Sequence, residues 1–339
     1  MKYIKKAGFI FSLLLVVLNA CKEEKKNEMF MSVSGNPGEL IIVATEPQWD
    51  GLIGETCREH FEKPVYGMPQ QEPLFDLVRT NYSDFERVFK TFRNVLIVEI
   101  DTTRFSKPNI EYRKDVFAKG QLVIRLEASS RDEIVELINT HSKQIIRVVQ
   151  TKELNRLGAK FKAKPNKKAQ KSILSNLGIK VTIPKEAVLA SIDSSHAWVR
   201  LEREKLKGGY QHQISQGLLI FKYPYQAKQQ FLDSELFKMR DAKLKKHIQG
   251  TVEGSYLTTE YRYYPPVTKE VDYNGHFAKE IHGLWRMEGD FMGGPMATYF
   301  VLNEEEGMIY CISGYAFAPQ FKKREYYREI EAVAKSVKF

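Results

Sequence analysis

The chain has 339 residues, 43% hydrophobic and 28% charged, with a formal net charge of +10. This is a globular composition, which excludes a disordered chain and leaves room for two packed domains. The positive excess raises anionic partners as a question, and the first residues narrow where they would be met.

Lys2, Lys5 and Lys6 open the chain, and Ala7 to Leu18 is apolar apart from Ser12. Twelve helical residues rise about 18 Å, short of the ~30 Å hydrocarbon core, so the segment reads as a secretory signal over 1–20 and not as a membrane span. It ends in Leu18-Asn19-Ala20-Cys21, which resembles the bacterial lipobox. The resemblance implies that Cys21 carries diacylglycerol on its sulfur, that the chain is cut just before it, and that the new amine is acylated with palmitate-like chains. The plainer alternative is an ordinary signal with a chance Cys. Lys22, Glu23 and Glu24 then resemble the surface-export signal of Bacteroidota lipoproteins, against the alternative of a solvated charged tether. Residues 21–38, ending in "SVSGNPG", are expected to be a flexible tether.

From there "ELIIVAT" (Glu39 to Thr45) predicts a buried strand, and Pro47 to Glu62 predicts a helix. Ser83 with Glu86 forms a capping-box pattern for a short helix, and "NVLIVEI" and "QLVIRLEA" are further strands. Ser130 and Glu133 repeat the capping pattern at the head of an amphipathic helix whose stripe is Ile134, Leu137, Ile138, His141, Ile145 and Val148. Pro165 interrupts that helix and Gly178 ends it. Between Leu154 and Lys185 there is no acid but nine basic residues, among them Lys160, Lys162, Lys164, Lys167, Lys168 and Lys171. In a cytoplasmic protein such a run points to nucleic acid. Behind an export signal it points to lipopolysaccharide phosphates, acidic polysaccharide or a membrane surface, with a solvated helix face as the plain alternative.

The second half predicts strands at "IKVTIP", "SHAWVRLE" and "GLLIFKYPY", then a helix over Gln226–Gln249. Four more strands follow, at "SYLTTEYRYYPP", "HGLWRMEGDFM", "ATYFVLN" and "MIYCISGYAFA", with a last helix opened by Pro319. Cys57 and Cys311 lie in opposite halves of the chain and read as two buried free thiols, with a disulfide as the alternative in an oxidising compartment.

Three clusters carry possible chemistry. His276, Glu280 and His282 have the residue types of a three-ligand zinc site, and Glu280 and His282 share a face if they stand on a strand. No HExxH helix accompanies them. "DSSHAW" sets Asp193, Ser195 and His196 side by side, but neighbours on a strand point to opposite faces, so no triad is expected. In "GDFMGGP", Gly293 and Gly294 are placed for positive φ or close backbone approach, and His282, Trp285, Arg286, Asp290 and Phe291 are the candidate lining of a binding groove. No P-loop, G-x-G-x-x-G or G-x-S-x-G occurs.

The stretches "HGLWRMEGDFMGGPMATYF" (His282 to Phe300) and "GYAFAPQFKKREYYREIE" (Gly314 to Glu331), with the lipobox and the length, resemble an uncharacterised Bacteroidota lipoprotein family, domain of unknown function 4837. The resemblance implies an exported lipoprotein and supplies no activity, substrate or catalytic residue.

The expected fold is α+β. It has two lobes of mainly antiparallel sheet packed with long amphipathic helices, over 39–177 and 178–339, the first ending in the basic helical stretch. The expected function is a non-enzymatic binding or assembly role at the outer membrane. The protein is held there through Cys21, and the cell surface is slightly favoured over the periplasmic face. Partners are the membrane and an envelope polymer or another envelope protein, not nucleic acid; no cofactor, metal or catalytic residue is assigned. The alternatives are an envelope hydrolase using Glu280, His282 and Asp290, and a polyanion binder acting through residues 154–185.

Overall fold

A computed structural model describes residues 31–339. The signal over 1–20, Cys21 and the Lys22, Glu23 and Glu24 triplet lie outside the described residues. Residues 31–38, expected to belong to the tether, instead lie along the N-terminal lobe. Ser34 N–H donates to Thr91 O (3.0 Å) and Lys119 N–H to Met31 O (2.9 Å), so backbone groups of this segment find partners in the lobe.

The N-terminal lobe is one five-stranded sheet. Its strands are β1 (Glu39–Val43), β2 (Asp76–Thr80), β3 (Asn94–Ile100), β4 (Asn109–Lys114) and β5 (Leu122–Ala128), in the order β2-β1-β3-β5-β4. The α+β class stands, but this sheet is mostly parallel: β1 runs parallel to β2 and β3, and β3 to β5, with only β4 antiparallel. The physical reason is burial on both faces. Leu40, Ile42, Leu96 and Val98 enter one core while Ile41, Val43, Val95 and Ile97 enter another. Unbroken apolar runs such as LIIV and VLIV belong to strands covered on both sides, which parallel sheets require.

Helices α1 (Glu46–Asp50) and α2 (Leu52–Phe61) replace the single expected helix. Thr45 and Gln48 cap the first reciprocally, and Gly51 breaks the pair in an extended conformation. The turn at 82–84 is capped by Asn81 and not by Ser83, since Asn81 Oδ1 accepts from Asp84 N–H at 2.8 Å. Helix α3 (Arg131–Ala163) begins where expected: Ser130 Oγ accepts from Glu133 N–H, and the Glu133 carboxylate accepts from Ser129 N–H and Oγ–H. It buries Ile134, Leu137, Ile138, Ile145 and Val149 against the sheet.

After a break at 164–166, helix α4 (Lys167–Leu177) ends on Gly178 at φ +79°. Its buried Ala169, Ile173 and Leu177 join the core of the second sheet, not the first. That sheet holds β6 (Val188–Ile192), β7 (His196–Lys207), β8 (Tyr210–Pro224), β9 (Tyr256–Thr259), β10 (Val267–Tyr273), β11 (His276–Glu288), β12 (Gly293–Asn303) and β13 (Met308–Phe317). The order is β10-β11-β12-β13-β8-β7-β6, with β9 also paired to β11, and every pairing is antiparallel.

Helix α5 (Asp233–His247), preceded by a 3-10 turn at Lys228–Phe231, covers one face, and α4 and α6 (Arg324–Ala334) cover the other. Helix α6 starts five residues beyond Pro319 and buries Tyr327, Ile330, Val333 and Ala334. Cys57 and Cys311 are free and fully buried, in the cores of different lobes. Among the described residues no helix is long and apolar enough to cross a membrane.

Candidate functional site

Helix α6 belongs to the second sheet by sequence order, yet its first turn is held by the first lobe. Glu72, 3% exposed, accepts the backbone N–H of Lys323 at 2.6 Å and of Arg324 at 2.8 Å, supplying two of the acceptors a helix start lacks. Arg324 reaches Asp76 Oδ2 at 2.6 Å and Pro73 O at 2.7 Å. Nearby, Tyr66 Oη–H donates to Pro265 O at 2.9 Å. These bonds bring α3, the loop after α2, β10, β11 and α6 around one cleft of about 410 Å³.

The floor of the cleft is a polar chain on β11 and its neighbours. Glu280 and His282 share a face of the strand, as alternation requires, and Nε2 of His282 lies 2.9 Å from Glu280 Oε1. Tyr299 Oη–H donates to the same oxygen at 2.8 Å, and Lys269 Nζ donates to Oε2 at 2.6 Å. Nε2 of His282 faces the carboxylate, and its other ring nitrogen, Nδ1, lies 2.6 Å from Tyr327 Oη. A second branch runs from Tyr299 to Glu331 (3.4 Å), which holds Lys335 at 2.7 Å.

Burial pushes the Glu280 carboxyl upward, but the hydrogen bonds and charges of His282 and Lys269 win, holding it well below the usual carboxylate range. Burial, followed by the nearby Glu331 and Glu280, lifts Tyr327 and Tyr299 well above the ordinary phenol value. Glu280 is therefore a permanent anion and a weak base near neutral pH, and the two phenols are permanent donors. Such a set of fixed charges and donors can hold and orient the polar groups of a ligand.

The other expected site residues do not gather here. Trp285 is 2% exposed on the opposite face of β11, in the α5 core, where Nε1–H donates to Ala316 O. Arg286 sits in salt bridges with Glu260 (3.5 Å) and Glu288 (2.6 Å). Asp290 and Phe291 lie in the turn between β11 and β12, and Phe291 is fully exposed. The expected groove is thus split between two faces and a hairpin tip, and Asp290 does not join Glu280 and His282 in the cleft. At the far end of β11, His276 packs against the Phe339 ring, so the three-residue metal pattern does not converge. The left-handed backbone in this hairpin is at Gly289 (φ +80°), not at Gly293 or Gly294. Gly294 serves close approach instead, since a Cβ there would meet Ala316 O at 2.1 Å.

The basic stretch also divides. Arg156 turns inward, bonding Glu153 Oε1 (2.9 Å), Asn94 Oδ1 (3.0 Å) and the carbonyl of Arg93, and burial brings its pKa down to about 10. Lys160, Lys162, Lys164, Lys167, Lys168 and Lys171 are exposed, on the end of α3 and the start of α4, and none has an acidic partner among the described residues.

Sequence reasoning passed over Lys269, Tyr299, Tyr327, Glu331 and Lys335. The legible signal was local: Tyr327, Glu331 and Lys335 follow at helical i, i+4 spacing.

A two-lobed α+β chain with a polar cleft at the seam is the class these features define. The chain belongs to the family described as Domain of unknown function (DUF4837), whose model matches residues 166–336. A second model, Domain of unknown function (DUF8532), matches residues 33–162, so the two matches meet at the break between α3 and α4. No curated protein matches the chain.

Proposed function

We propose that the protein is a lipid-anchored component of the cell envelope that binds a small anionic ligand in the interlobe cleft without transforming it. The observation that carries the binding role is the floor of the cleft, where Glu280 is locked as an anion between His282 and Lys269. Anionic preference rests on Arg147. It lines the cleft from α3, is exposed, and has no acidic partner among the described residues. Acidic and phosphorylated sugars are the envelope molecules whose charge and hydroxyls suit such a wall. The anchor rests on the sequence alone, through Leu18-Asn19-Ala20-Cys21, and export to the outer leaflet on Lys22, Glu23 and Glu24. The test of the binding role is thermal denaturation of the purified protein with a panel of these sugars. Anionic members raise the melting temperature, neutral parents do not, and Arg147→Glu abolishes the response.

A second reading has its own observation. The six exposed lysines flank the start of α4, whose first turn carries no acid. Cations at a helix N-terminus oppose the helix dipole, so a bound polyanion would relieve an unfavourable arrangement. In this reading the ridge, not the cleft, contacts an acidic envelope polymer.

A further inference from the structure

The other face of the second sheet holds a cluster unconnected with the cleft. Asp193 lies in the turn between β6 and β7, His196 is the first residue of β7, and His247 closes α5. The two imidazole rings stack with centroids 4.0 Å apart. One donor atom from each of the three residues lies within 4.8 Å of the others.

The hydrogen bonds around the cluster leave its donors free. Asp193 Oδ1 is engaged by Ser195 N–H (2.6 Å), Ser195 Oγ–H (2.9 Å) and His196 N–H (2.9 Å), which fixes the carboxylate with Oδ2 3.0 Å from His196 Nδ1. The strand-alternation expectation fails here because residues 193–195 form a turn, not a strand. Ser195 Oγ–H points to the carboxylate and not to the imidazole, so no nucleophile is assembled. His196 uses Nε2 against Ser191 Oγ at 3.1 Å, and its Nδ1 is buried without a hydrogen bond, though Asp193 Oδ2 is 3.0 Å away. His247 Nε2 is likewise buried with no partner. Two buried imidazole nitrogens without a hydrogen bond, one of them 3.0 Å from the carboxylate, are costly unless a partner engages them.

We propose that Asp193, His196 and His247 bind a divalent first-row transition metal, zinc being the natural ion. Two His and one carboxylate are an established ligand set for such ions, and ligands 2.0–2.1 Å from a tetrahedral metal stand about 3.3 Å apart. The 3.0 Å between Asp193 Oδ2 and His196 Nδ1 is close to that spacing, and His247, whose ligand atom lies within 4.8 Å of theirs, has to close by at most about 1.5 Å. The Ser191 bond is the outer contact that holds the His196 ring for ligation. Asp193 is half exposed, which leaves an entry path and room for a water as fourth ligand.

The test is metal loading of the full chain. Protein stripped with chelator and reloaded with zinc should hold one equivalent after gel filtration. Cobalt in its place should give the visible absorption of a tetrahedral site. His247→Ala and Asp193→Asn should each weaken zinc affinity at least about tenfold while the circular dichroism spectrum is unchanged. Asp193→Asn keeps shape at a half-exposed position and decides the matter if a His variant fails to fold. Failure of the wild type to retain stoichiometric zinc, or equal retention by Asp193→Asn, overturns the proposal.

Discussion

The hydroxyl of Tyr327 lies 2.6 Å from Nδ1 of His282, joining the last helix to the middle of β11. These residues come from the two stretches in which the family resemblance is sharpest, 45 positions apart in sequence. Their meeting at the seam of the lobes places the most distinctive part of the sequence in the cleft wall.

Glu280 stabilises the fold through its ionised form. Its folded-state pKa is held below the unfolded value of about 4.3, so its contribution is present above that value and is lost as pH falls through the folded one. Glu280→Gln should cost about 1.5–3 kcal/mol at neutral pH, the range for hydrogen bonds to charged groups. The penalty should shrink below about pH 4, where the unfolded chain takes up a proton that the folded Glu280 does not. Urea denaturation of both proteins at pH 7 and pH 3.5 checks this, and a pH-independent difference contradicts it.

Glu72 joins the lobes by capping α6. Glu72→Ala should cost about 1–2 kcal/mol, because two backbone N–H groups at a buried helix start lose their acceptor. Hydrogen exchange should accelerate at Lys323 and Arg324 more than in β12. Uniform protection across the chain would remove the carboxylate from that role.

Reversing Lys162, Lys164, Lys167 and Lys168 to Glu should leave the fold intact, since all four are exposed. The change at Lys167 and Lys168 should raise stability by about 0.3–1 kcal/mol each, because acids replace bases beside the N-terminus of α4. If the ridge binds acidic polymer, that binding disappears with reversal and weakens steeply with salt, as contacts screened over about 8 Å do. Equal polymer binding by both proteins makes the ridge a solvated face only.

Thiol chemistry reports on the anchor. Burial raises both Cys57 and Cys311 to about 12, so neither should react with a thiol reagent in the native protein. Lipidated protein from cells should therefore show no fast-reacting thiol and two on unfolding. Clickable palmitate should label the wild type and not Cys21→Ser. A third thiol that reacts quickly in cell-derived protein places Cys21 unmodified. Added protease should remove the protein from intact cells, and substitution of Lys22, Glu23 and Glu24 by Ala should protect it.

Local physics made much of the fold legible. The Ser130 cap, the stripe of α3, the break near Pro165 and the pairing of Glu280 with His282 all follow from spacings of three, four or two residues. The parallel order of the first sheet was not legible from apolar runs, because periodicity reports burial but not strand direction. The groove failed for a related reason: Trp285 was read as an anchor, whereas its odd register puts it in the core opposite His282. Tyr327 and Glu72 could not be assigned to the site because their partners lie 45 and about 250 positions away. The His196–His247 stack depends on a helix end folding back over a strand start, which no local spacing encodes.

The most direct test of the cleft is calorimetric titration of acidic and phosphorylated sugars into three proteins: wild type, Arg147→Glu and the four-lysine reversal. The account predicts saturable binding to the wild type and to the lysine reversal, loss with Arg147→Glu, and recovery of the sugar unchanged after incubation. Binding that survives Arg147→Glu but vanishes with the lysine reversal, or conversion of the sugar that Glu280→Gln stops, contradicts it.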